Sequence, residues 1–433
     1  MLKQFATIRR SPLEYLGSAW REHGDVVQFP IPSPPSYFIN HPTATRGVLV
    51  ADSHSYGKAT IQYRSLSLVT GEGLLTADTP AWRRQRPLVQ PAFHHETLAH
   101  IVDHVGIAAR RLIDAWTRRP AGMTVDMDQA MMNAALEVVG NALFGTDLSE
   151  DADRLTQATL AALDIVIARA RPSIPPPKWL PTKSNRTLHR SVSELDSAVD
   201  HLLQSRRTSS RATGRDMIDL LLAARDDAGE GLTPNEIRNQ VVTFIVAGHE
   251  TVASALTWSW ALLAAHPEMQ ARLQEESDTV LGGRAATFDD IPNLPVARAV
   301  FDETLRLYPP AWLITRNALV DAELGGYLVP TGSLIILSPW WLHRHPELWP
   351  DPERFDPDRF LSGDAARHGF IPFGAGLRQC IGKDFAYTEG VLMLSTLAGS
   401  IDVAYPPGGG VPAVEPLVTV RPVGGLPLTV RPR

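Results

Sequence analysis

After Thr233 the polar positions Asn235, Glu236, Arg238 and Asn239 give way to an apolar run, and from Val241 to Ala265 the ionisable residues are His249 and Glu250. Thr233, Pro234 and Glu236 have the spacing of a capping box with proline at the first helical position, and the next proline is Pro267. The pattern predicts one helix from Pro234 to Ala265, about 48 Å long at ~1.5 Å per residue. Its apolar half has no one-sided stripe, as expected of a helix through the middle of a large core. Roughly 20 apolar residues also suffice to span a bilayer. The central His249–Glu250 pair argues against lipid, where ionisable groups are costly unless paired or functional.

Helical periodicity also marks Leu98 to Trp116, Asp128 to Leu143, Asp196 to Leu203, Glu268 to Leu281 and Val296 to Leu307, the last ending before Pro309 and Pro310. Short β-rich pieces occur at Val26 to Phe29, Tyr37 to Ile39, Leu334 to Leu337 and Leu417 to Val420. They are too few and scattered for a parallel α/β sheet, so the chain is predicted to be mostly α with a small β subdomain. Proline is dense from Pro172 to Pro181 and from Pro346 to Pro357, and Gly408 to Gly410 marks a turn.

The 433 residues are 44% hydrophobic and 20% charged, enough apolar surface for a large core. At roughly 150 residues per domain this length suits either about three domains or one large enzyme unit. Lys plus Arg total 41 against 47 for Asp plus Glu, a formal charge of −6 that argues against nucleic-acid binding and a polybasic membrane anchor. Met1 to Arg10 lacks an apolar run followed by a small-residue cleavage site, so the expected location is cytoplasmic. Cys380 is the single cysteine, which excludes an intrachain disulfide and a multi-thiolate zinc site.

That cysteine lies in Phe373, Gly374, Ala375, Gly376, Leu377, Arg378, Gln379, Cys380, Ile381, Gly382, ahead of a helical pattern from Lys383 to Leu397. Three glycines around one thiol predict a tight loop with something close against its backbone. Nearby amides and the following helix start favour a thiolate. Alone, a cysteine is more often a small buried hydrophobe than a ligand.

The decapeptide resembles the haem-binding signature of the cytochrome P450 monooxygenases, in which Phe, Gly, Arg, Cys and Gly recur at these spacings. The resemblance implies the P450 fold, with a long central helix over haem b, as a single haem domain over residues 1–433. Its small β-rich subdomain would come mainly from 20–60, 310–340 and 411–433. It makes Cys380 the thiolate ligand of the haem iron, donating electron density that favours O–O cleavage. In the loop that carries Gly374, Phe373 would shield the sulfur, Gly382 would let the macrocycle approach, and Arg378 would meet a propionate.

Ala247, Gly248, His249, Glu250 and Thr251 resemble the family's oxygen-activation motif. There a small residue such as Gly248 lets the helix open locally beside the haem, and Glu250 and Thr251 hold water for proton delivery. Read without the resemblance, they are a buried Glu satisfied by a neighbour and a Thr bonded back to a carbonyl. Val252 stands where the family often has Ser or Thr. Glu303 and Arg306 have the spacing of an intrahelical ion pair. The resemblance joins them as scaffold to Arg359 of Pro357, Asp358, Arg359 and Phe360, with Arg354 ranked second. It also assigns Trp82 with Arg86, and Arg316, to the propionates. The plain alternative is a surface stacking pair and a solvated arginine.

Three segments resemble those of carotenoid-hydroxylating members of the family, which act on a β-carotene-type ring. They are Lys58 to Ser65 leading to Gly73, Leu74 and Leu75, then Ala247 to Trp258, then Leu305 to Arg316, joined by the tail Arg421 to Pro427. The expected pocket wall is Ile61, Leu66, Leu74, Leu75, Val246, Ala247, Trp312, Leu313 and Val418, suited to a lipophilic substrate. Gln62, Tyr63 and Arg64 are polar exceptions that suit a carboxylate and so a fatty acid. Ile174 to Leu180, with Trp179, reads as a hydrophobic lid, a peripheral membrane contact or a plain loop. The resemblance further implies O2 as co-substrate, with NAD(P)H electrons delivered by a ferredoxin reductase and a ferredoxin. Arg83, Arg84 and Lys383 would meet the ferredoxin, unless they are simply a solvated basic face. A peroxide-driven peroxygenase and a thiolate-haem sensor are the competing classes.

Overall fold

A computed structural model describes residues 11–29, 35–118, 120, 122–144, 161–162, 166, 179–208, 217–363 and 368–433. Residues 1–10 and 174–178, and with them most of the proposed lid, lie outside the described residues; Trp179 and Leu180 at its end are exposed. The longer helices are α1 (Pro12–His23), α2 (Ile61–Thr70), α3 (Thr79–Val89), α4 (His95–Thr117), α5 (Met127–Phe144), α6 (Lys183–Thr208), α7 (Pro234–Ala265), α8 (Pro267–Leu281), α9 (Pro295–Leu307) and α10 (Lys383–Ala398). The strands are β1 (Val26–Phe29), β2 (Ser36–Ile39), β3 (Tyr56–Gly57), β4 (Met123–Asp126), β5 (Ile314–Ala318), β6 (Ala322–Leu324), β7 (Tyr327–Val329), β8 (Leu334–Leu337), β9 (Ile401–Ala404), β10 (Val414–Pro416), β11 (Val420–Pro422) and β12 (Pro427–Pro432).

The chain forms two compact units. The first comprises Met1–Arg64, Asp302–Cys380 and Val414–Arg421. Its frame is a five-stranded sheet of order β1-β2-β8-β5-β3, antiparallel except for the β2–β8 pair. Tyr37, Ile39, Val48, Leu49, Ile335, Leu337 and Ile371 form its core. Trp341 caps α1 by lying over Gly17 and donating its indole N–H to the Leu13 carbonyl at 2.8 Å.

The second unit comprises Ser65–Phe301, Ile381–Ala413 and Pro422–Arg433. Here α7 packs on α5, α6, α8 and α10, and a three-stranded sheet β4-β12-β9 closes one side. The capping box forms as predicted: the Glu236 N–H donates to the Thr233 hydroxyl at 3.2 Å, and the Thr233 N–H donates to the Glu236 carboxylate at 2.8 Å. Helix α7 is long and apolar enough to cross a membrane, yet 83% of its most apolar stretch is buried inside the protein. Trp258 and Trp260 are fully buried on it; burying a large apolar side chain contributes about 1.5–3 kcal/mol.

Two predicted elements change. The helix expected over Asp196 to Leu203 runs from Lys183 to Thr208. Its buried stripe of Asn185, Leu188, Ser191, Leu195 and Val199 contains polar members, so apolar periodicity reveals only its middle. Of the strand expected over Leu417 to Val420, only Val420 is in a strand, as the first residue of β11; Leu417 to Thr419 form the bend between β10 and β11, where the Leu417 N–H donates to the Glu415 and Thr419 carbonyls. A β-branched tripeptide carries strand propensity, but local hydrogen bonds override it.

Candidate functional site

The cysteine loop is built on its glycines. Gly374 and Gly376 have φ of 67° and 68°, which a side chain would strain. A Cβ on Gly376 would also collide with the Leu49 carbonyl, so the loop lies backbone to backbone on residues Gly47–Ala51. Within it the Cys380 N–H donates to the Phe373 carbonyl at 2.9 Å, and the Gln379 N–H donates to the Gly376 carbonyl at 3.0 Å. The thiol is exposed, three residues before the start of α10 in sequence. Phe373, Gly374, Arg378 and Gly382 are partly buried. Gly382 is different in kind from Gly376: its φ is −88°, and a Cβ would meet Phe93 at an ordinary 3.6 Å. Neither backbone nor neighbours require a glycine there; it leaves room for something flat to approach.

In the same unit, Lys58 after β3 and Arg316 on β5 are each 7% exposed. Between them stands Tyr63: the Lys58 ammonium lies 3.9 Å above its ring, and an Arg316 N–H points at its hydroxyl at 3.5 Å. The first turn of α2 is stitched to β5. Thr315 donates to the Gln62 side-chain carbonyl at 2.8 Å, leaving Thr60 to donate to the Thr315 hydroxyl at 2.7 Å. The Gln62 amide closes on the Leu313 carbonyl at 3.4 Å. Two buried cations flanking a phenol present donors of the kind a carboxylate accepts.

This alters the expected pocket wall. Gln62 and Tyr63 are committed to β5 and to the cations, and Ile61 is 68% exposed. Lys58, expected only as part of a recognition segment, is a buried cation over the Tyr63 ring. A lone lysine carries no pattern that marks it as buried. Trp312 is buried with its indole N–H on the Leu417 carbonyl at 3.0 Å, and Leu313 and Val418 are partly buried.

In the second unit, α7 is buried along most of its apolar half, but Ala247, Gly248 and Thr251 are partly exposed on one side. Val246 and Val252 are buried, as is Glu250. Thr251 donates its hydroxyl to the Ala247 carbonyl at 2.7 Å, and His249 Nδ1 bonds the Ile245 carbonyl at 2.6 Å. The local opening expected at Gly248 is not present: the helix is continuous through it. The missing side chain instead admits Val139 of α5, which a Cβ would meet at 3.1 Å. Leu74 is buried and Leu75 partly so; Trp82 is buried and Arg86 partly buried one turn later on α3.

Arg84 does not offer a free charge to a partner. Its guanidinium bonds Glu236 at 2.7 Å, the Gly231 carbonyl at 2.8 Å and Asp226 at 3.3 Å, tying α3 to the start of α7. Arg83 is exposed and Lys383 partly so.

The scaffold arginines resolve clearly. Glu303 and Arg306 are both fully buried and paired through two hydrogen bonds of 2.7 and 2.8 Å. Arg306 also donates to the carbonyls of His343, Pro352 and Arg354. Arg359 lies 3.6 Å from the Glu303 carboxylate, whereas the Arg354 side chain is exposed and lies 3.9 Å from Asp356.

Comparison with known proteins adds to this geometry. The chain is 37% identical to cyclooctatin synthase of Streptomyces melanosporofaciens, over 96% of this chain and 91% of the relative. It is 37% identical to pentalenene oxygenase of Streptomyces avermitilis, over 96% and 90%. It is 31% identical to the chloroplastic protein LUTEIN DEFICIENT 5 of Arabidopsis thaliana, over 92% and 71%. The family model described as Cytochrome P450 matches residues 1–426. An exposed thiol on a glycine-built loop, a capped core helix carrying Glu250 and Thr251, and this match along nearly the whole chain lead to one conclusion: the chain belongs to the cytochrome P450 family and is a monooxygenase.

Proposed function

We propose that this monooxygenase inserts one oxygen atom of O2 into an apolar terpenoid, and more finely that it hydroxylates a carotenoid ring of the β-carotene type. The observation that carries the chemistry is the exposed Cys380 thiol on a loop whose Gly382 has no need of its own to be glycine. The donor set fits haem b: one thiolate for iron, with cations for two carboxylates. When bound, haem supplies the activation of O2, and the thiolate favours O–O cleavage. Lys58, Arg316, Arg378, Trp82 and Arg86 would hold the propionates. Glu250 and Thr251 orient water and pass protons. Ala247, Val246, Leu74, Leu75, Trp312, Leu313 and Val418 would hold substrate by apolar contact.

Support for a terpenoid comes from the names of the relatives, two of which are cyclooctat-9-en-7-ol 5-monooxygenase and pentalenene oxygenase. The carotenoid reading rests on the three recognition segments. Electrons would come from NAD(P)H through a ferredoxin reductase and ferredoxin, in the cytoplasm. The test is the absorption spectrum of the reduced protein under carbon monoxide, for wild type and Cys380→His. A strongly red-shifted Soret band in wild type alone supports thiolate ligation; its absence despite bound haem refutes it. Turnover of β-carotene, cyclic terpenes and fatty acids with ferredoxin and reductase then separates the substrate classes. Oxidation of fatty acids alone would refute the terpenoid reading.

A further inference from the structure

Gln240 is fully buried on α7 and uses both ends of its amide on another segment. Its carbonyl accepts the Leu74 N–H at 3.1 Å, and its NH2 donates to the Gln85 side-chain carbonyl at 2.9 Å. Gln85, itself buried, donates onward to the Glu72 carbonyl at 3.2 Å. The ring therefore starts and ends on one short stretch, Glu72 to Leu74, with an α7 side chain and an α3 side chain between.

Neighbouring residues complete the clasp. Arg238 donates to the Val69 carbonyl at 3.1 Å. Gly71 has φ of 62°, and its Cβ would run into the Asn239 side chain. A Cβ on Gly73 would lie 2.7 Å from the Asn239 carbonyl oxygen and would collide with the buried Thr243 hydroxyl. From Arg238 to Thr243, α7 thus holds the backbone of residues 69–74.

The helix register relates this clasp to the chemistry. At 100° per residue, Gln240, Ala247 and Thr251 fall within about 40° of one another on a single stripe, and Ala247 lies about 10 Å beyond Gln240. A rigid helix therefore carries both the anchor of the Leu74 backbone and the partly exposed face of Ala247 and Thr251. We infer that Gln240 is a positioning residue that sets where Leu74 and Leu75 stand along this stripe, and so determines which carbon of a lipophilic substrate is oxidised. The inference rests on the reading of Leu74 and Leu75 as substrate wall.

The test is made on the holoenzyme with β-ionone as probe, comparing wild type with Gln240→Met, which keeps the volume and removes both hydrogen bonds. The ratio of hydroxylated regioisomers is expected to shift by about fivefold or more, with KM rising and the Soret band under carbon monoxide retained. A merely structural role would lower the unfolding temperature and leave the product ratio unchanged; that result overturns the inference. Gln85→Met breaks only the far half of the ring. It is expected to move the ratio in the same direction by about twofold, and an unchanged ratio there counts against the inference even if Gln240→Met fails to fold. If wild type oxidises fatty acids and no terpenoid, the substrate reading fails by itself. The same variants are then compared on dodecanoic acid, whose successive carbons report a displaced wall equally well.

Discussion

Thr251 gives its hydroxyl proton to the carbonyl of Ala247, one turn back on the same helix, at 2.7 Å. This is the local bond by which threonine sits in a helix interior, and it leaves the hydroxyl lone pairs as acceptors. The proton delivery proposed for Thr251 requires that bond to be exchanged for one to water; the neighbouring Glu250 is buried. Thr251→Ala is expected to lower product formed per NAD(P)H by about tenfold or more while reductant consumption continues. Turnover driven by peroxide should fall much less. Equal losses by both routes would remove Thr251 from proton delivery.

Glu303 and Arg306 form a bidentate pair with no solvent exposure, and Arg306 also binds three carbonyls from His343, Pro352 and Arg354. Removing one partner leaves a buried charge uncompensated. Arg306→Met is expected to cost about 3–5 kcal/mol, read as a fall in the denaturant midpoint. Arg354→Ala, whose exposed side chain takes no part in that pair, should leave the midpoint within about 0.5 kcal/mol of wild type. Comparable losses in both would show that the pair is not the anchor.

His343 is held neutral by its contacts. The Ile371 N–H donates to its Nε2 at 2.9 Å, and its Nδ1 lies 3.2 Å from the Arg306 carbonyl, so Nδ1 carries the proton. Burial, helped by the Arg306 cation, pushes its pKa down from 6.5 to about 3. The unfolded chain takes up a proton below its ordinary pKa while the folded chain does not, so stability is lost as pH falls from 6.5 toward about 3. The slope contributed by this group is up to about 1.4 kcal/mol per pH unit. His343→Gln supplies a donor and an acceptor without titrating. Its denaturant midpoint should fall less steeply than wild type between about pH 6 and pH 4. Parallel curves would exclude His343 as the acid-sensitive group.

Lys58 and Arg316 converge on Tyr63, and the haem propionates are the carboxylates they are proposed to hold. Lys58→Met is expected to speed haem transfer to excess apomyoglobin by about tenfold, as a charge-assisted contact of about 1.4 kcal/mol implies. With the dimethyl ester of haem, whose propionates carry no charge, wild type and variant should release at similar rates. A difference that persists with the ester would show that Lys58 acts through packing.

Much of this protein follows from local rules that act over a few residues. The capping box at Thr233 and Glu236, the absence of proline before Pro267 and the lack of an apolar stripe give α7 its bounds, Pro234–Ala265, and its buried course. The glycines around Cys380 announce a backbone in close contact, and the contact is with Leu49. The Glu303–Arg306 spacing gives an ion pair because residues three apart meet on a helix. Other features depend on neighbours distant in sequence. The resemblance ranks Arg359 ahead of Arg354, and Arg359 does face Glu303; it is the turn of residues 351–360 that brings it there. Arg84 looked like a surface charge until Glu236 and Asp226 were brought to it by folding. Tyr63 reads in sequence as part of a substrate wall and Lys58 as part of a recognition segment; folding sets Lys58 over the Tyr63 ring and brings Arg316 of β5 to its hydroxyl. Sequence alone determined which chemistry the chain carries, because a thiolate loop and an acid–alcohol pair are written in adjacent residues. Only the tertiary structure decided how the polar side chains are partnered, because hydrogen bonds and burial depend on partners tens to hundreds of residues away.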